Sequence, residues 1–177
     1  LLLVAPATAN ILGKFARVAL GTANVDYNGR FCMSSAAAAA ERAFGVDRGL
    51  PFPVEDIARA SVVLLVGGNP AETMPPIMQY FEAQRAAGGH LIVVDPRRTA
   101  TSAWAARHLP LRPGSDAALA NGLLHVLLRD GLVDRDFVAR RTSGFDDAAR
   151  TAAAYWPERV ERLTGVPEHS LVASAQQ

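Results

Sequence analysis

Short apolar runs alternate with segments of helical periodicity through the middle of the chain. Two of these runs are rich in β-branched residues, SVVLLVG at 61–67 and HLIVVD at 90–95, and their shortness is typical of buried strands. Helical periodicity follows each run, at 75–89 and over a shorter stretch at 101–107, and a third strand is predicted at 108–113. Strands that alternate with helices predict an α/β fold, with a parallel sheet, flanking helices and right-handed crossovers.

Helical patterns occupy both ends of the chain. A helix is predicted from Thr8 to Leu20, then irregular backbone as far as Cys32, then an alanine-rich helix from Ser35 to Phe44. One or two helical turns are expected at 54–60. Beyond the strands, shorter helices are predicted at 134–141, 145–156, 157–163 and 167–175. The pattern therefore predicts a helical tail after the sheet.

An apolar stripe at 117–131 predicts the longest helix that follows the strands. Either Ser115 or Asp116 is placed to cap its start, and Gly131 is placed to end it.

Composition and charge narrow the functional classes. Apolar residues make up 50% of the chain, which suffices for a buried core, and 18 lysines and arginines nearly balance 17 aspartates and glutamates. This balance provides no strong field to attract nucleic acid, so nucleic-acid binding is not expected. The apolar opening is interrupted after Pro6, so neither a membrane span nor a signal peptide is predicted, and a cytoplasmic location is expected.

Cys32 is the only cysteine, which excludes an internal disulfide framework and any zinc or iron–sulfur site built from several cysteines of this chain. A thiol near the start of a helix is a reactive ligand or nucleophile, and Arg30 adds positive charge if its side chain turns the same way. The alternative is inert packing, because free cysteines are among the most buried residues. Arg30 could equally pair with Asp26, so no role is assigned to it.

Three loops are predicted at the carboxyl ends of the strands. Ligands of parallel sheets gather there, because the helices that follow offer free N–H groups at their amino termini. In the first loop, Gly67 and Gly68 would let a phosphate or ribose approach the backbone, and Asn69 offers both a donor and an acceptor. An ordinary strand-to-helix turn is the alternative. The loops are residues 66–73, 95–99 and 113–116.

The second and third loops contain charged side chains with two possible roles. Asp95 could accept hydrogen bonds from ribose hydroxyls while Arg97 or Arg98 pairs with phosphate. Alternatively, Asp95 caps the following helix and the arginines are solvated. The loop at 113–116 is explained by helix capping alone.

These segments together resemble the bis-molybdopterin guanine dinucleotide oxidoreductases, the family that includes nitrate reductases and formate dehydrogenases. The resemblance spans nearly the whole chain and rests on four segments in the family's order and approximate spacing, NVDYNGRFCMSSAA, VGGNPAET, VVDPRRTATSAWAARHLPLRPGSDAAL and YWPERVERLTGVPEHSLVASA. It implies three parts: a loop-and-helix segment at 1–60 with the metal-ligand cysteine, a Rossmann-like α/β cofactor-binding part at 61–131, and a truncated helical segment at 132–177.

The resemblance implies molybdenum held in a bis(molybdopterin guanine dinucleotide) cofactor, with Cys32 as the catalytic thiolate ligand of the metal. A soft thiolate suits a metal of this kind. The family also has a four-iron, four-sulfur cluster in an amino-terminal segment that this chain lacks, so the piece is expected to be inactive alone. By position, the resemblance assigns cofactor contacts to Asn28, Val66, Gly67, Gly68, Asn69, Pro70, Ala71, Glu72, Thr73, Asp95, Pro96, Arg97, Arg98, Thr99, Gly114, Ser115 and Asp116.

The residue after the cysteine bears on the substrate. Met33 follows Cys32, as in cysteine-ligated nitrate reductases, whereas formate dehydrogenases typically place histidine there. The resemblance to the assimilatory type implies two-electron reduction of nitrate to nitrite by oxygen-atom transfer to molybdenum, with electrons from a donor protein or domain. Formate or another oxyanion is the alternative substrate, and a non-catalytic nucleotide-binding α/β module is the alternative of a different class.

Overall fold

The computed structural model describes residues 10–25, 29–46, 50 and 52–177, and only the backbone at 29–32. It separates into two compact units, Leu1–Pro51 and Phe52–Gln177. The three-part organisation expected from the sequence, with boundaries after residues 60 and 131, stays a prediction.

The described part of the first unit contains a helical segment followed by a long helix. Residues 10–14 are α-helical and continue into a π-helical turn, Phe15–Ala19. Ala16 is buried, whereas Val18 on the predicted apolar face is 85% exposed. Gly21, with a φ of 62°, follows the helix where the sequence predicted a stop. The predicted start at Thr8 lies outside the described residues.

Helix α1 spans Gly29–Phe44 and contains the alanine-rich run. The prediction of irregular backbone up to Cys32, with a helix from Ser35, is wrong because the backbone is already helical at Gly29. Residues 30–44 contain neither glycine nor proline, so nothing interrupts the helix before Gly45, whose φ is 75°. The backbone of Cys32 therefore lies in the first turn of α1.

The second unit contains, within its described residues, a three-stranded parallel sheet in the order β1–β2–β3. The strands are β1 (Val62–Val66), β2 (His90–Val94) and β3 (Arg107–Leu109). The register pairs Leu64 with Ile92 and Ile92 with Arg107. The predicted α/β class with a parallel sheet is confirmed.

Helices flank the sheet and follow it. A 3-10 helix, Val54–Arg59, precedes β1, and the connection from β1 to β2 contains α2 (Pro70–Thr73), a 3-10 turn at Pro75–Ile77 and α3 (Met78–Ala86). The tail contains α4 (Asp116–Arg129), α5 (Arg135–Arg141), α6 (Phe145–Ala153), α7 (Pro157–Thr164) and α8 (Glu168–Ala175). The predicted helix at 75–89 is divided, because two consecutive prolines at its start favour a tighter first turn.

Side chains of β2 alternate between two cores, as expected for a strand that is covered on both faces. Burying one aliphatic side chain contributes about 1.5–3 kcal/mol, so each core anchors the strand firmly. The core on the α4 side contains Ile92, Val94, Leu109, Leu111, Leu119, Val126, Val160, Val166 and Leu171. The core on the α3 side contains Ile57, Met78, Phe81, Leu91 and Val93.

The prediction that the first strand is buried is wrong for one of its faces. Val62, Leu64 and Val66 are 37%, 46% and 53% exposed, whereas Ile92 and Val94 beside them in β2 are buried. These side chains are exposed because β1 is an edge strand of the described sheet. The core on this face is formed by β2, β3 and the tail helices.

The segment between β2 and β3 is a turn, and the predicted short helix at 101–107 is wrong. Ser102 Oγ donates to Thr99 O (2.8 Å) and Ser102 N donates to Thr99 Oγ1 (3.1 Å). Such local bonds compete with the helical pattern. β3 is also shorter than the predicted strand at 108–113, because Pro110 has no N–H to continue the ladder.

Candidate functional site

The carboxyl ends of the three strands meet at one edge of the sheet. Val66 pairs with Val94, and Val94 pairs with Leu109. Beyond these pairs, Gly67 N donates to Val94 O (2.8 Å) and Asp95 N donates to Leu109 O (3.3 Å). The loops that follow β1 and β2 therefore begin side by side, where parallel sheets place their ligands.

Gly67 and Gly68 shape the start of the first loop. Gly67 has a φ of 66°, a conformation that favours glycine, and a Cβ at this residue would meet no atom within 4 Å. A Cβ on Gly68 would lie 3.0 Å from Leu65 Cδ1, at the tip of a flexible side chain. The space next to Gly67 is therefore open to an approaching group.

Asn69 joins the first loop to the second through its side-chain oxygen. Thr101 Oγ1 donates to Asn69 Oδ1 at 2.8 Å, and Thr101 N donates to the same oxygen at 3.3 Å. Thr101 Oγ1 also accepts a hydrogen bond from Ala71 N (3.0 Å). Thr101 is fully buried, so water does not compete for these bonds.

Three hydrogen-bond donors of this loop have no acceptor among the described residues. They are the backbone N–H groups of Gly68 and Asn69 and the Nδ2 of Asn69. Asn69 Nδ2 is not among the buried side-chain atoms that lack a partner, so it is accessible to solvent. A cluster of unpaired donors is suited to an anionic group rich in acceptor atoms.

The remaining predicted residues of the first loop form the short helix α2. The N–H of Ala71 is occupied by Thr101 Oγ1, and the N–H groups of Glu72 and Thr73 donate to Asn69 O. Pro70 has no N–H. Glu72 and Thr73 are exposed, and the hydroxyl of Thr73 also donates to Asn69 O. The donors available to a ligand therefore come from Gly68 and Asn69 and not from α2.

Asp95 organises the second loop. Its side chain is buried, with Oδ1 accepting from Arg97 N at 2.7 Å, whereas Oδ2 has no hydrogen bond within the described part of the chain. The alternative that Asp95 caps a following helix is wrong, because a turn follows it. His108 Nε2 lies 2.8 Å from Asp95 O and donates to it, since a carbonyl can only accept.

The cations of the second loop are exposed. Arg97 Nε lies 3.9 Å from Asp95 Oδ1, with 76% of its side chain exposed, and Arg98 makes no ion pair with a described residue. Pro96, which precedes Arg97, is also exposed, and Thr99 is buried in the turn with Ser102. Arg97 and Arg98 therefore add positive charge to the edge that already presents the unpaired donors.

The third predicted loop, residues 113–116, is not hydrogen-bonded to the first two loops within the described residues. Gly114, with a φ of 82°, and the exposed Asp116 make no hydrogen bond to the first two loops among the residues described. Arg112 fixes this segment to α7 by donating from its guanidinium to Arg162 O at 2.7 Å. The prediction that Ser115 caps α4 through its side chain is wrong, because Ser115 Oγ donates to Arg112 O instead (2.6 Å).

The two site residues that the sequence predicts in the first unit are Asn28 and Cys32, and the structure does not describe their side chains. Asn28 and the side chain of Cys32 lie outside the described residues. Within the part of the chain that is described, no group of three or more His, Cys, Asp or Glu side chains could hold a metal ion. The roles assigned to Asn28 and Cys32 stay predictions.

Sequence reasoning missed the residues that support the loops. The sequence predicts a helix at Thr101 and a strand at His108 and Arg112, and its pattern indicates none of them as a partner of a loop. A threonine that bonds across 32 positions has no local sequence signal. Local sequence patterns thus indicate the loop residues but not the residues that hold the loops in place.

A nucleotide with phosphate groups fits the strand-end edge. Open space next to Gly67, three unpaired donors and two exposed arginines together provide contacts for phosphate oxygens. Asp95 Oδ2, which has no hydrogen bond within the described part of the chain, adds an acceptor of the kind that binds hydroxyl groups. Fold and site thus define a parallel α/β domain with a candidate binding edge for an anionic nucleotide.

Residues 5–168 match the family model described as molybdopterin oxidoreductase, and the chain belongs to this family. Membership implies a molybdenum–pterin cofactor. The family resemblance that the sequence predicted is therefore confirmed.

Individual relatives agree with this assignment. The chain is 51% identical over 139 residues to the assimilatory nitrate reductase catalytic subunit of Bacillus subtilis (strain 168), covering 78% of this chain and 20% of that protein. It is 34% identical over 166 residues to the F420-dependent formate dehydrogenase subunit alpha of Methanocaldococcus jannaschii, covering 94% and 24%. The chain therefore spans about a fifth to a quarter of the length of these curated relatives.

A solved structure shares the fold. Acetylene hydratase from Pelobacter acetylenicus matches with a TM-score of 0.58 and 28% identity, over 69% of this chain and 18% of that one. No helix in the described residues is both long and apolar enough to cross a membrane.

Proposed function

We propose that this chain is part of a molybdenum-dependent nitrate reductase that reduces nitrate to nitrite. The observation that carries the proposal is the 51% identity to a nitrate reductase catalytic subunit, which exceeds the 34% identity to a formate dehydrogenase subunit. Met33 after Cys32 supports the same substrate. An electron-donor protein or domain, an iron–sulfur cluster outside this chain and a cytoplasmic location are parts of the proposal.

The cofactor in this proposal is bis(molybdopterin guanine dinucleotide), and the strand-end edge holds one of its nucleotide parts. The unpaired donors of Gly68 and Asn69 would bind phosphate oxygens next to Gly67, and Arg97 and Arg98 would balance their charge. Asp95 would accept hydrogen bonds from hydroxyl groups through Oδ2. Val66, residues 70–73, Pro96 and Thr99 would shape the two loops, and residues 114–116 would supply a third contact.

Cys32 is the proposed metal ligand. Its thiolate, in the first turn of α1, would hold molybdenum as a soft donor. When bound, the cofactor supplies the two-electron chemistry that accepts an oxygen atom from nitrate. The contribution of this chain is to fix the metal through Cys32 and to hold the nucleotide at the edge of the sheet.

The test uses the full natural protein, matured in a host that makes the cofactor. Molybdenum content and nitrate reduction by a chemically reduced viologen are compared between wild type and Cys32→Ser, with Ser35→Ala on the same helix as the matched control. Nitrate reduction should fall by more than about a hundredfold in Cys32→Ser, since even the supporting partners of metal ligands account for 10–100-fold. The control should match wild type. Normal turnover in Cys32→Ser would contradict the ligand assignment.

Formate oxidation is the second candidate activity. The match to the formate dehydrogenase subunit covers 94% of the chain, against 78% for the nitrate reductase subunit, so the alternative has support of its own. Assaying one wild-type preparation with nitrate and with formate separates the two. Activity with formate alone would replace nitrate reduction as the function.

A further inference from the structure

Three hydrogen bonds join Thr101 to the first loop, and its hydroxyl takes part in two of them. Because Thr101 Oγ1 accepts from Ala71 N, its own proton is free to be donated to Asn69 Oδ1, 2.8 Å away. The backbone N–H of Thr101 points to the same oxygen. Asn69 Oδ1 therefore receives two donors from one fully buried residue.

These bonds fix which way the Asn69 amide faces. The reversed amide would bring its NH2 group against the backbone N–H of Thr101, which can only donate, and would leave the hydroxyl proton of Thr101 without this acceptor. Oδ1 is consequently held inside the protein. Nδ2 is left accessible in a loop whose Gly68 and Asn69 N–H groups are also unpaired among the described residues.

We propose that Thr101 is a positioning residue that turns the Asn69 amide so that Nδ2 donates to a phosphate oxygen of the bound nucleotide. This inference rests on the proposed function of the strand-end edge. Sequence reasoning expected Asn69 to offer both a donor and an acceptor to the ligand. The structure commits the acceptor to Thr101, and the side chain presents only a donor.

The chemistry favours phosphate over a hydroxyl or a base edge. A ribose hydroxyl or a base edge presents both donors and acceptors, whereas the loop presents three donors and no free acceptor at these atoms. A phosphate group has only acceptor oxygens near neutral pH, and backbone N–H clusters bind it well. Asn69 would therefore contribute to the discrimination between a nucleotide and the corresponding nucleoside.

The experiment measures binding of GDP and of guanosine to the cofactor-free full natural protein by calorimetry. Thr101→Val removes the hydroxyl while keeping a similar shape, and Thr101→Ser keeps the hydroxyl. We expect Thr101→Val to weaken GDP binding about tenfold, equivalent to about 1.4 kcal/mol. Thr101→Ser should restore affinity to near the wild-type value. Ser174→Ala, which removes a buried hydroxyl in α8, is the matched control and should leave GDP binding unchanged.

Asn69→Asp tests the donor itself. The aspartate keeps an acceptor for Thr101, but it replaces the outward NH2 with a carboxylate oxygen that repels phosphate. We expect GDP affinity to fall by more than about tenfold while guanosine affinity changes little. This variant keeps the proposal testable if Thr101→Val fails to fold, which circular dichroism would show.

The possible results separate the positioning role of Thr101, the assignment to phosphate and the proposed function. Wild-type GDP affinity in folded Thr101→Val would overturn the positioning role, and wild-type GDP affinity in Asn69→Asp would overturn the donor role of Nδ2 and the positioning role with it; either result leaves the proposed function intact. Equal losses for GDP and guanosine in Asn69→Asp would overturn the assignment to phosphate. A wild-type protein that binds no GDP and contains no molybdenum after maturation would overturn the proposed function, and this inference with it.

Discussion

Two side-chain amides join the strands of this sheet at opposite ends, and they use their atoms in opposite ways. At the amino ends, Gln84 is 1% exposed, and its Nε2 donates to Ala60 O (3.1 Å) and His90 O (3.2 Å). At the carboxyl ends, Asn69 accepts through Oδ1 and leaves Nδ2 accessible. Gln84 turns its donors inward and Asn69 turns its donor outward.

The difference separates a structural amide from a ligand-binding amide. Both donors of Gln84 are used by the carbonyls of Ala60, before β1, and His90, at the start of β2. Its Oε1 is buried and has no partner among the described residues, so the side chain presents no accessible polar atom to a ligand. Asn69 has a donor available beside unpaired backbone N–H groups. Substitutions at the amino ends should therefore reduce stability, and substitutions at the carboxyl ends should reduce ligand binding.

The largest effect on stability is expected from Gln84→Glu. This change keeps the shape but places a buried carboxyl group against two carbonyl oxygens, which should cost about 3 kcal/mol. Hydrogen exchange of peptides that cover β2 measures the local loss in the full protein. Gln79→Glu, at an exposed position on the same helix, is the control and should change exchange little. Unchanged protection of β2 in Gln84→Glu would show that the two inward bonds are not structural.

A somewhat smaller loss is expected from Gly89→Ala. The added Cβ would lie 2.6 Å from Gln84 Cγ and 2.7 Å from Ala60 O, and the latter is backbone that cannot easily move. Overpacking of this kind costs about 1–3 kcal/mol. The thermal midpoint should fall, whereas GDP affinity should stay at the wild-type value, because the contact lies at the amino ends of the strands. A loss of GDP affinity without a fall in the thermal midpoint would contradict the structural role that we assign to the amino ends of the strands.

Gly67→Ala should have the smallest effect on stability. Its Cβ meets nothing within 4 Å, so the cost comes only from the φ of 66° and is about 1 kcal/mol. The same methyl group would occupy the open space of the candidate binding edge, and GDP affinity should therefore fall. Calorimetry and thermal unfolding on one preparation measure both. Wild-type GDP affinity in this variant would place the ligand elsewhere.

Sequence patterns predicted the parts of this structure that depend on local properties. The β-branched runs at 61–67 and 90–95 identified two strands, and their order with the helices identified the parallel sheet. The apolar stripe at 117–131 identified α4, which begins at Asp116 and ends before Gly131, whose φ is 70°. Periodicity succeeds in these cases because burial repeats at the spacing of the element itself.

The sequence-based predictions are wrong where contacts between distant residues, or hydrogen bonds within a turn, determine the structure. The exposure of Leu64 follows from the edge position of β1, which periodicity does not reveal. The turn around Ser102 follows from its bonds with Thr99. Two of the candidate loops could be placed from the ends of strands, but the bond from Thr101 to Asn69 could not, because it joins residues that are 32 positions apart.

The most direct test of the central claim is an experimental structure of the full natural protein with its cofactor bound, at a resolution that places the phosphates. Our prediction is a phosphate oxygen within hydrogen-bond distance of Asn69 Nδ2 and of the N–H of Gly68, with Asn69 Oδ1 still bonded to Thr101. A nucleotide bound away from residues 67–69, or an Asn69 amide that accepts from the ligand, would contradict it.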